Sequence, residues 1–487
     1  MKGAAYLGLD LGGTGAKAAV FDAAGRLLGF GKRSHTPRIS EDGRAEVPIE
    51  EVYAAARDAA REAVSRAGTH VSALCIVSQG ETFVSLDDAG RPLHAAILWY
   101  DSRAAKQAER LALVLRKANP QGPVPALHAI ATAPKIMWLR ERLPELMGRA
   151  RRFLLLPDYV TYRLTGEAVT DPWTAGSTGL HALGQAGYSP EALAAAGIEE
   201  QQLARIQRAG TVAGAVSPPA ADEWGLEADT PVAVGTNDQY AGALGAGNCQ
   251  PGILSETTGT CLALVTLTTR APDPVPPGLF VGPFPAEPYL YVLAYSKTAG
   301  LVLDWFRQEL CPGLSLDELD RMAADVPVGS RGLTVLPHFD GAVSPVPDAR
   351  LRGALWGLCL QHGRTDIYRA ILESLAFCLR ENLALLRDSG LRIEVVRAIG
   401  GGARSDVWLQ IKADVTGLAV ERPAVTEAAV LGAAMLAAVS CGEFKSLQEC
   451  CEALYRRDRL FEPDPGRRGL YEAPYARYLE LHARLYG

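Results

Sequence analysis

An acidic residue and a glycine-threonine turn lie close together near the N-terminus. In the segment AYLGLDLGGTGAKAAVFD the residues of interest are Asp10, Gly12, Gly13, Thr14 and Lys17. Apolar stretches on both sides predict a β-hairpin with this turn at its tip. Glycines let backbone amides approach a phosphate closely, a lysine adds positive charge, and a carboxylate can face a divalent cation. Taken alone, the segment is equally compatible with an ordinary hairpin.

A second acidic candidate lies near the middle of the chain. In PVAVGTNDQYAGALGAG, Asp238 follows a short apolar strand and opens a helix rich in alanine and glycine. An aspartate there can be a simple N-cap, but Thr236 and Asn237 could cap equally well. Ligands of layered α/β domains collect at loops beyond the strand ends. We therefore expect a functional role for Asp238, with Asn237 and Gln239 beside it.

The threonine-glycine pattern occurs a second time. In ILSETTGTCLALVTL, two apolar stretches flank a tip that contains Thr257, Thr258, Gly259 and Thr260. Two such hairpins, one early and one central, predict a duplicated architecture with a cleft between the halves. Further on, three glycines from Gly400 to Gly402 separate a predicted strand from a helix, and such a turn suits a base or ribose lying against the backbone.

Polar residues follow the predicted strand at 71–77 and recur about twenty residues later. Individually, a tryptophan there fits core packing and an Asp-Arg pair fits a surface ion pair. As a group they favour a pocket for a small polar molecule, and the group consists of Gln79, Glu81, Thr82, Trp99, Asp101 and Arg103.

The elements that must position these residues alternate between strand and helix, which predicts α/β layers. Helix-forming sequence from Pro48 to Ala67 ends at Gly68, and a shorter helix that starts near Pro157 ends at Gly166. Apolar spacing predicts a long amphipathic helix that Thr365 caps and Gly390 ends. The stretch EAAVLGAAMLAAV predicts a buried helix of small residues.

Length and charge limit the classes of protein. A chain of 487 residues exceeds the roughly 250 to 300 residues of a single core, so two large domains are expected. We predict an N-terminal domain over 1–250, a C-terminal domain over 251–441 and a tail over 442–487. With 49 basic and 55 acidic residues, the net charge is −6. This charge does not indicate binding to nucleic acid or to an anionic membrane.

Targeting signals and several catalytic motifs are absent from the sequence. The first residues show no export signal and no apolar stretch reaches the roughly 20 residues that span a bilayer, so a cytoplasmic protein is expected. The sequence contains no HExxH, GxSxG or GxxxxGK[ST] motif, and no GxGxxG follows the first strand. Zinc hydrolase, serine hydrolase, P-loop and Rossmann interpretations are therefore disfavoured.

Two longer patterns resemble the FGGY family of carbohydrate kinases. The first lies at Pro134-Lys135-Ile136-Met137-Trp138-Leu139, and the second extends from Gly353 through Asp366 and Ala370 to Glu373. The resemblance covers the chain to about residue 440. It implies the α/β, two-domain actin-like (ribonuclease H-like) ATPase fold of sugar kinases, with the ligand cleft between the domains.

The same resemblance implies ATP and Mg²⁺ as cofactors and a small sugar or polyol as substrate, and it is compatible with a homodimer. Asp238 corresponds to the catalytic base, and Asp10 and Asp238 to metal-site residues. The implied nucleotide-binding residues are Gly12, Gly13, Thr14, Lys17, Gly259, Thr260, Gly341, Gly401, Gly402, Ala403 and Ser405. The implied substrate-binding residues are Gln79, Glu81, Thr82, Trp99, Asp101, Arg103, Asn237, Asp238 and Gln239.

The residues of the predicted sugar pocket do not identify a single substrate. Glu81, Thr82 and Trp99 resemble the polyol pocket of glycerol kinases, yet Gly80 stands where those enzymes carry an arginine. Xylulokinases usually have a Met-His pair where this chain has Gly80 and Glu81, whereas the Trp-x-Asp-x-Arg string and the GGGARS turn are typical of pentulose kinases. We expect a pentulose, tetrulose or related sugar alcohol, xylulokinase-like, with a glycerol kinase-like enzyme as the alternative.

Proteins of another class share the actin-like fold. An ATPase chaperone or filament protein would leave the polar group around Glu81 unexplained. A non-catalytic sugar sensor would not need both Asp10 and Asp238.

Overall fold

The computed structural model describes residues 3–118, 129–181, 187–259 and 261–486, and the chain forms two compact units. Unit 1 comprises Met1–Gly245 and Ala429–Leu454, and unit 2 comprises Ala246–Ala428 and Tyr455–Gly487.

The strands are numbered along the chain. They are β1 (Ala5–Gly12), β2 (Gly15–Asp22), β3 (Leu27–Ser34), β4 (Arg38–Ile39), β5 (Ala45–Val47), β6 (Ala73–Ser78), β7 (Phe83–Leu86), β8 (Ala96–Ile97), β9 (Arg152–Leu155), β10 (Val169–Thr170), β11 (Arg205–Ile206), β12 (Val212–Ala215), β13 (Pro231–Ala233), β14 (Gly252–Thr258), β15 (Leu262–Thr268), β16 (Leu279–Pro283), β17 (Leu290–Ser296), β18 (Thr334–Leu336), β19 (Ala354–Trp356), β20 (Ile393–Ile399), β21 (Ala419–Pro423) and β22 (Arg457–Phe461).

The α-helices are numbered in the same way. They are α1 (Ile49–Ala67), α2 (Ala105–Ala118), α3 (Thr132–Arg142), α4 (Pro144–Arg149), α5 (Leu156–Thr165), α6 (Pro172–Ser177), α7 (Pro190–Ala196), α8 (Pro218–Trp224), α9 (Asp238–Gly245), α10 (Gly300–Trp305), α11 (Leu316–Ala324), α12 (Arg364–Asp388), α13 (Asp406–Thr416), α14 (Ala428–Ser440), α15 (Leu447–Leu454), α16 (Pro465–Leu470) and α17 (Glu472–Tyr486). Short 3₁₀ turns lie at Glu200–Gln202, Ser330–Gly332 and Gly401–Arg404, and a π-turn lies at Phe306–Leu310.

Unit 1 is built on a six-stranded sheet with the strand order β12-β13-β6-β1-β2-β3. Strands β13, β6 and β1 run parallel, while β1, β2 and β3 form antiparallel pairs. The apolar residues of β1, β2 and β6 are almost fully buried, which accounts for the continuous apolar stretches that predicted them, whereas Leu27 and Leu28 of the edge strand β3 are exposed. Unit 1 also contains a five-stranded sheet in the order β4-β5-β8-β7-β9 and a two-stranded sheet of β10 and β11.

Unit 2 repeats this strand arrangement. Its seven-stranded sheet has the order β16-β17-β15-β14-β20-β21-β22. Strands β21, β20 and β14 run parallel, and β14, β15 and β17 form antiparallel pairs. Each unit therefore contains a hairpin whose first strand continues into a parallel set, so both Thr/Gly tips lie at the ends of equivalent hairpins.

Helix α14 packs against the central sheet of unit 1. A Cβ atom on Gly8 of β1 would lie 1.9 Å from the carbonyl oxygen of Val430, and one on Gly432 would lie 1.9 Å from that of Ala241. Backbones this close exclude any side chain at either glycine. The structure thus groups 429–454 with the N-terminal residues, which differs from the sequence-based division into 251–441 and 442–487.

Most helix boundaries follow the sequence signals. Helix α1 ends at Gly68 and α5 at Gly166, each glycine in the left-handed conformation, as the sequence predicts. The long helix α12 is also present, but its cap is corrected: Gly363 precedes the first turn, and its amide donates to the Asp366 carboxylate at 2.9 Å. Over the described ranges, no helix is both long and apolar enough to cross a membrane.

Candidate functional site

The parallel strands of unit 1 bring three of the predicted segments to one edge of the sheet. Asp10 of β1 is in register with Val77 of β6, and Ser78 forms a parallel bridge with Asn237. Asp238 begins α9 directly after that bridge. The carboxyl end of each strand thus carries one of the polar segments that the sequence predicted to act together.

The tip of the β1–β2 hairpin is a tight turn. Asp10 lies opposite Lys17 in the antiparallel ladder, and Gly12 lies opposite Gly15. The carbonyl oxygen of Thr14 accepts a hydrogen bond from the amide of His35 at 3.0 Å, which anchors the turn from β3. A Cβ atom on Gly13 would lie 3.2 Å from the side-chain oxygen of Gln79, so the tip is next to the loop after β6.

The loop before Asp238 is held by contacts that the sequence did not reveal. A Cβ atom on Gly235 would lie 1.8 Å from the carbonyl oxygen of Ile76, so only glycine allows this approach. The hydroxyl of Thr236 donates to the buried carboxylate of Asp171 at 2.9 Å. Asp171 also accepts hydrogen bonds from the first amides of α6, and burial raises its pKa to about 6.

Asp238 is the first residue of α9 and is partly buried. The side-chain amide of Gln239 donates to its carboxylate at 3.3 Å, and the Gln239 backbone amide donates to Asn237 at 2.9 Å. Burial raises the pKa of Asp238 to about 6, hydrogen bonds from Gln239 oppose this, the charge of Glu81 raises the pKa further and that of Lys17 lowers it. A carboxylate with this pKa is ionised at neutral pH and is more basic than an ordinary aspartate.

Glu81 occupies a strained turn. Its φ of 61° is positive, which is uncommon for a residue with a side chain, and the amide of Thr82 donates to the carbonyl oxygen of Gly80 at 2.7 Å across it. The hydroxyl of Thr132 donates to the Glu81 carbonyl oxygen at 3.0 Å. Burial raises the pKa of Glu81 to about 7, although the charge of Lys135 and a hydrogen bond from Ser177 act against the shift.

Gln79, Thr82 and Trp99 form one hydrogen-bonded group. The buried Thr82 hydroxyl accepts from the Gln79 side-chain amide at 3.2 Å and from the Trp99 backbone amide at 2.9 Å. These contacts fix the backbone on either side of the Glu81 turn relative to the segment after β8. Three of the six residues that the sequence grouped are therefore in direct contact.

Asp101 and Arg103 form hydrogen bonds with a different part of unit 1 from Gln79, Thr82 and Trp99. The fully buried Asp101 carboxylate accepts from the amide of Ala45 at 2.7 Å and from the Arg103 guanidinium at 2.6 Å. Arg103 also pairs with Glu46 at 2.6 Å and lies 5.0 Å from the Trp138 ring centre. Their hydrogen bonds join β5 to the segment after β8.

Lys135, which was not predicted to bind the substrate, lies beside the segment that carries Trp99. Its side chain is fully buried in α3, and its ammonium donates to the carbonyl oxygens of Leu98, Trp99 and Ile130 at 2.8, 3.0 and 2.7 Å. Burial lowers the pKa of Lys135 to about 7, against the opposing effect of the Glu81 and Asp101 charges. The only signal in the sequence was its place in the first family-like pattern.

Unit 2 carries the second group of predicted residues. The hairpin of β14 and β15 ends at Gly259, whose carbonyl oxygen accepts from the amide of Gly300 at 2.9 Å. The predicted nucleotide-binding residue Thr260 lies outside the described residues. The tip is thus tied to the start of α10.

The glycine turn after β20 lies against this hairpin. Gly400 has a φ of 77°, and a Cβ atom there would lie 3.0 Å from the carbonyl oxygen of Thr258. Residues Gly401–Arg404 form a 3₁₀ turn that contains the buried Ala403, and Ser405 caps α13 by accepting from the Trp408 amide at 3.1 Å. The turn leads from the end of a parallel strand into a helix, as predicted.

Gly341 lies in a separate tight turn of unit 2. Its φ is 79°, and its amide donates to the carbonyl oxygen of Leu351 at 3.1 Å. A Cβ atom there would lie 3.0 Å from the backbone of Asp348 and Ala349. The turn therefore requires glycine for its own geometry.

The residues at the edge of the unit 1 sheet fit a magnesium site. Asp10 and Asp238 each supply a carboxylate there. Mg²⁺ is usually held by one or two carboxylates together with waters and substrate phosphates. Within the described ranges, no group of three or more histidine, cysteine or acidic side chains is placed to hold a metal ion.

Comparison with a solved structure defines the class of fold. The crystal structure of a xylulose kinase from Rhodospirillum rubrum matches with a TM-score of 0.85 and 28% identity, over 99% of each chain. The protein thus has the two-domain α/β fold of sugar kinases.

Sequence comparison identifies the family. The chain matches the N-terminal domain of the FGGY family of carbohydrate kinases over residues 5–245 and the C-terminal domain over residues 255–441. It therefore belongs to the FGGY family of carbohydrate kinases, and it is a sugar kinase. Kinases of this family use ATP and act on small-molecule sugars.

The names of similar proteins give two different kinase activities. A xylulose kinase from Staphylococcus epidermidis is 28% identical over 481 residues, which are 98% of this chain and 96% of that protein. An autoinducer-2 kinase from Escherichia coli K12 is 30% identical over 505 residues, covering 96% of this chain and 92% of that protein.

Proposed function

We propose that this protein transfers the γ-phosphoryl group of ATP to a hydroxyl of a pentulose, a tetrulose or a related polyol, with Asp238 as general base. The observation that carries the proposal is the Asp238 carboxyl at the start of α9, whose pKa burial raises to about 6. General bases work best when their pKa lies near the operating pH. Such a carboxylate can accept the proton of a sugar hydroxyl as its oxygen attacks phosphorus.

Phosphoryl transfer requires mainly alignment and charge stabilisation from the protein. In unit 1, the backbone amides of Gly12 to Thr14 and the ammonium of Lys17 would bind phosphate oxygens. Asp10 would hold the magnesium ion, with Asp238 as its second carboxylate, directly or through water. When bound, Mg²⁺ neutralises charge on the phosphates.

Unit 2 contains the other residues proposed to bind nucleotide. By resemblance to the family, Gly259 and Thr260 would bind phosphates, and the turn at Gly341 would border them. The turn from Gly401 to Ala403 carries no side chain larger than a methyl group, which suits adenosine, and Ser405 would lie beside it.

The sugar pocket would be formed by residues around the Glu81 turn. Carboxylate and amide groups of Glu81, Gln79, Asn237 and Gln239 can bind hydroxyls, and the Trp99 ring can cover the carbon chain. Thr82, Asp101 and Arg103 would act by positioning this wall, since their polar atoms already bind protein groups. Thr82 and Asp101 are fully buried, and the Arg103 side chain is 6% exposed.

The xylulokinase-like assignment has support from the position of Gly80. A Cβ atom there would lie 2.8 Å from the Ser177 hydroxyl and 3.2 Å from the Asn237 side chain. The arginine of a glycerol kinase-like pocket would displace both. Relatives named xylulose kinase and autoinducer-2 kinase also favour a short ketose or its analogue as substrate.

Sugar-stimulated release of ADP tests the proposal. The wild-type protein is assayed with Mg-ATP against a panel of pentuloses, tetruloses, polyols including glycerol, and aldonic acids. A pentulose or tetrulose should give the highest kcat/KM. Preference for glycerol would replace the proposal with the polyol alternative, and no stimulation by any compound would favour a sensor.

A further inference from the structure

A buried ion pair lies next to the tip of the β14–β15 hairpin. The ammonium of Lys412 on α13 donates to both carboxylate oxygens of Glu256 on β14, at 2.8 and 3.0 Å, and neither side chain is more than 1% exposed. Removing two charges from water is costly, and a well-packed apolar pair is often as stable or more so. Stability alone therefore gives little reason for this pair.

Thr258 connects the ion pair to the tip. Its hydroxyl donates to the Glu256 carboxylate and accepts from Lys412 Nζ at 3.2 Å. Thr258 is the last residue of β14, and Gly259 follows it. The ion pair thus fixes the side-chain rotamer of Thr258, the residue directly before the tip.

The glycine turn packs on the same threonine. A Cβ atom on Gly402 would lie 2.7 Å from Thr258 Cβ and 2.9 Å from the ring of Trp408. That ring in turn lies 4.1 Å from the Lys412 ammonium, measured to the ring centre. The tip and the turn therefore meet at Thr258. Lys412 contacts Thr258 itself and the ring of Trp408, which lies against the turn.

We propose that Lys412 and Glu256 are positioning residues for the nucleotide. They hold the Gly259 tip and the Gly400–Gly402 turn in one relative arrangement, so that phosphate and adenosine meet preformed backbone sites. This inference rests on the proposed binding of ATP by these two stretches. Neither residue touches the nucleotide in this account, because both are fully buried.

The Lys412→Met variant tests the proposal. It leaves the Glu256 carboxylate buried without its cation, so the tip and the turn should lose their fixed arrangement. We expect the KM for ATP and the Kd of a fluorescent ADP analogue to rise at least tenfold, while the KM for the sugar stays within twofold of wild type. Equal increases in both KM values, or an ATP KM within twofold of wild type, would overturn the positioning role.

A matched control separates positioning from general loss of stability. Arg369 of α12 forms another buried pair, with Glu373 at 2.9 Å, and its further partners are the Ala323 carbonyl oxygen and the Tyr471 hydroxyl. Arg369→Met should lower the Tm as Lys412→Met does, yet change the ATP KM by less than twofold. An equal rise in ATP KM in this control would show that destabilisation alone explains the effect.

The double variant Lys412→Met/Glu256→Leu keeps the test decisive if the single variant does not fold. Replacing both charges should restore the Tm towards wild type, but Thr258 then has no carboxylate to hold its hydroxyl. The ADP analogue should still bind at least fivefold more weakly, and wild-type affinity would contradict the proposal. Absence of sugar-stimulated ADP release from the wild type would reject the proposed function instead, and the binding measurement would still decide the role of Lys412.

Discussion

The ammonium of Lys135 donates a hydrogen bond to the backbone carbonyl oxygen of Trp99 at 3.0 Å. Two further bonds to Leu98 and Ile130 use the remaining donors of the same fully buried group. One side chain therefore joins the segment that carries Trp99 to the loop before α3, and its charge interacts with that of Glu81.

Lys135→Met should weaken both the fold and sugar binding. An unmade buried hydrogen bond costs about 1 to 3 kcal/mol, so three carbonyl groups without their donor should lower the unfolding free energy by at least about 3 kcal/mol. We expect the sugar KM to rise about tenfold or more and the ATP KM to change little. Urea unfolding and steady-state kinetics measure these, with the exposed Lys106→Met as control. A normal sugar KM would remove Lys135 from the pocket wall.

Glu81→Gln should affect both the substrate affinity and the pH profile. The Glu81 charge adds to the raised pKa of Asp238, so removing it should lower that pKa. Because kcat/KM falls as the base becomes protonated, its acid limb should move to lower pH, while the sugar KM rises about tenfold. The profile is measured at constant, saturating Mg²⁺. An acid limb that stays in place or moves to higher pH would contradict the electrostatic coupling.

Asp10→Asn should raise the magnesium requirement. If Asp10 holds the ion in the proposed site, its loss should increase the Mg²⁺ concentration for half-maximal activity about tenfold, which corresponds to about 1.4 kcal/mol. A Mg²⁺ titration at fixed ATP checks this. Asp22→Asn is the matched control, since Asp22 ends the second strand of the same hairpin and binds Arg26 at 2.6 Å. Identical titrations for the two variants would argue against a metal role.

His338 should make unit 2 less stable in acid. Its ring is buried next to His482, with ring centres 5.3 Å apart, and burial together with the His482 charge lowers the pKa of His338 to about 4. The unfolded state takes up the proton near pH 6.5 but the folded state only near pH 4, so stability is complete above pH 6.5 and falls as the pH decreases towards 4. The loss is at most about 3 kcal/mol.

His338→Gln should remove this part of the acid destabilisation. Urea unfolding at pH 7.5 and pH 5 compares the two proteins, and the difference between the pH values should be smaller in the variant. His338 faces His482 of α17, and the charge of His482 in turn interacts with that of Asp348. An unchanged pH dependence would assign the acid sensitivity to other groups.

The sequence revealed the backbone of the site more completely than its supporting side chains. Local sequence signals predict both hairpins, the glycine turn after β20 and the helix that starts at Asp238. Short stretches of sequence are enough here, because apolar strands and glycine turns depend on neighbouring residues. The long helix α12 was also evident, although its cap was assigned to Thr365 and lies at Gly363.

The contacts that hold the site join residues far apart in the chain. Thr236 binds Asp171, Lys135 binds the carbonyl of Trp99, and Lys412 binds Glu256 across 156 positions. No local periodicity marks such partners, because burial and hydrogen bonding depend on how the layers pack. The grouping of 429–454 with unit 1 likewise depends on close backbone packing at Gly8 and Gly432, which composition alone does not specify.

The central claim is that Asp238 accepts the proton of the sugar hydroxyl. Asp238→Asn keeps the size and the N-terminal place on α9 but removes the base, and a positioned base typically contributes about 10²- to 10⁴-fold. The most direct measurement is sugar-stimulated ADP release by this variant beside wild type, with the Kd of an ADP analogue measured on both. If Asp238 is the base, turnover falls at least about a hundredfold in this variant while nucleotide affinity stays within twofold. Near-normal turnover in Asp238→Asn would contradict this role.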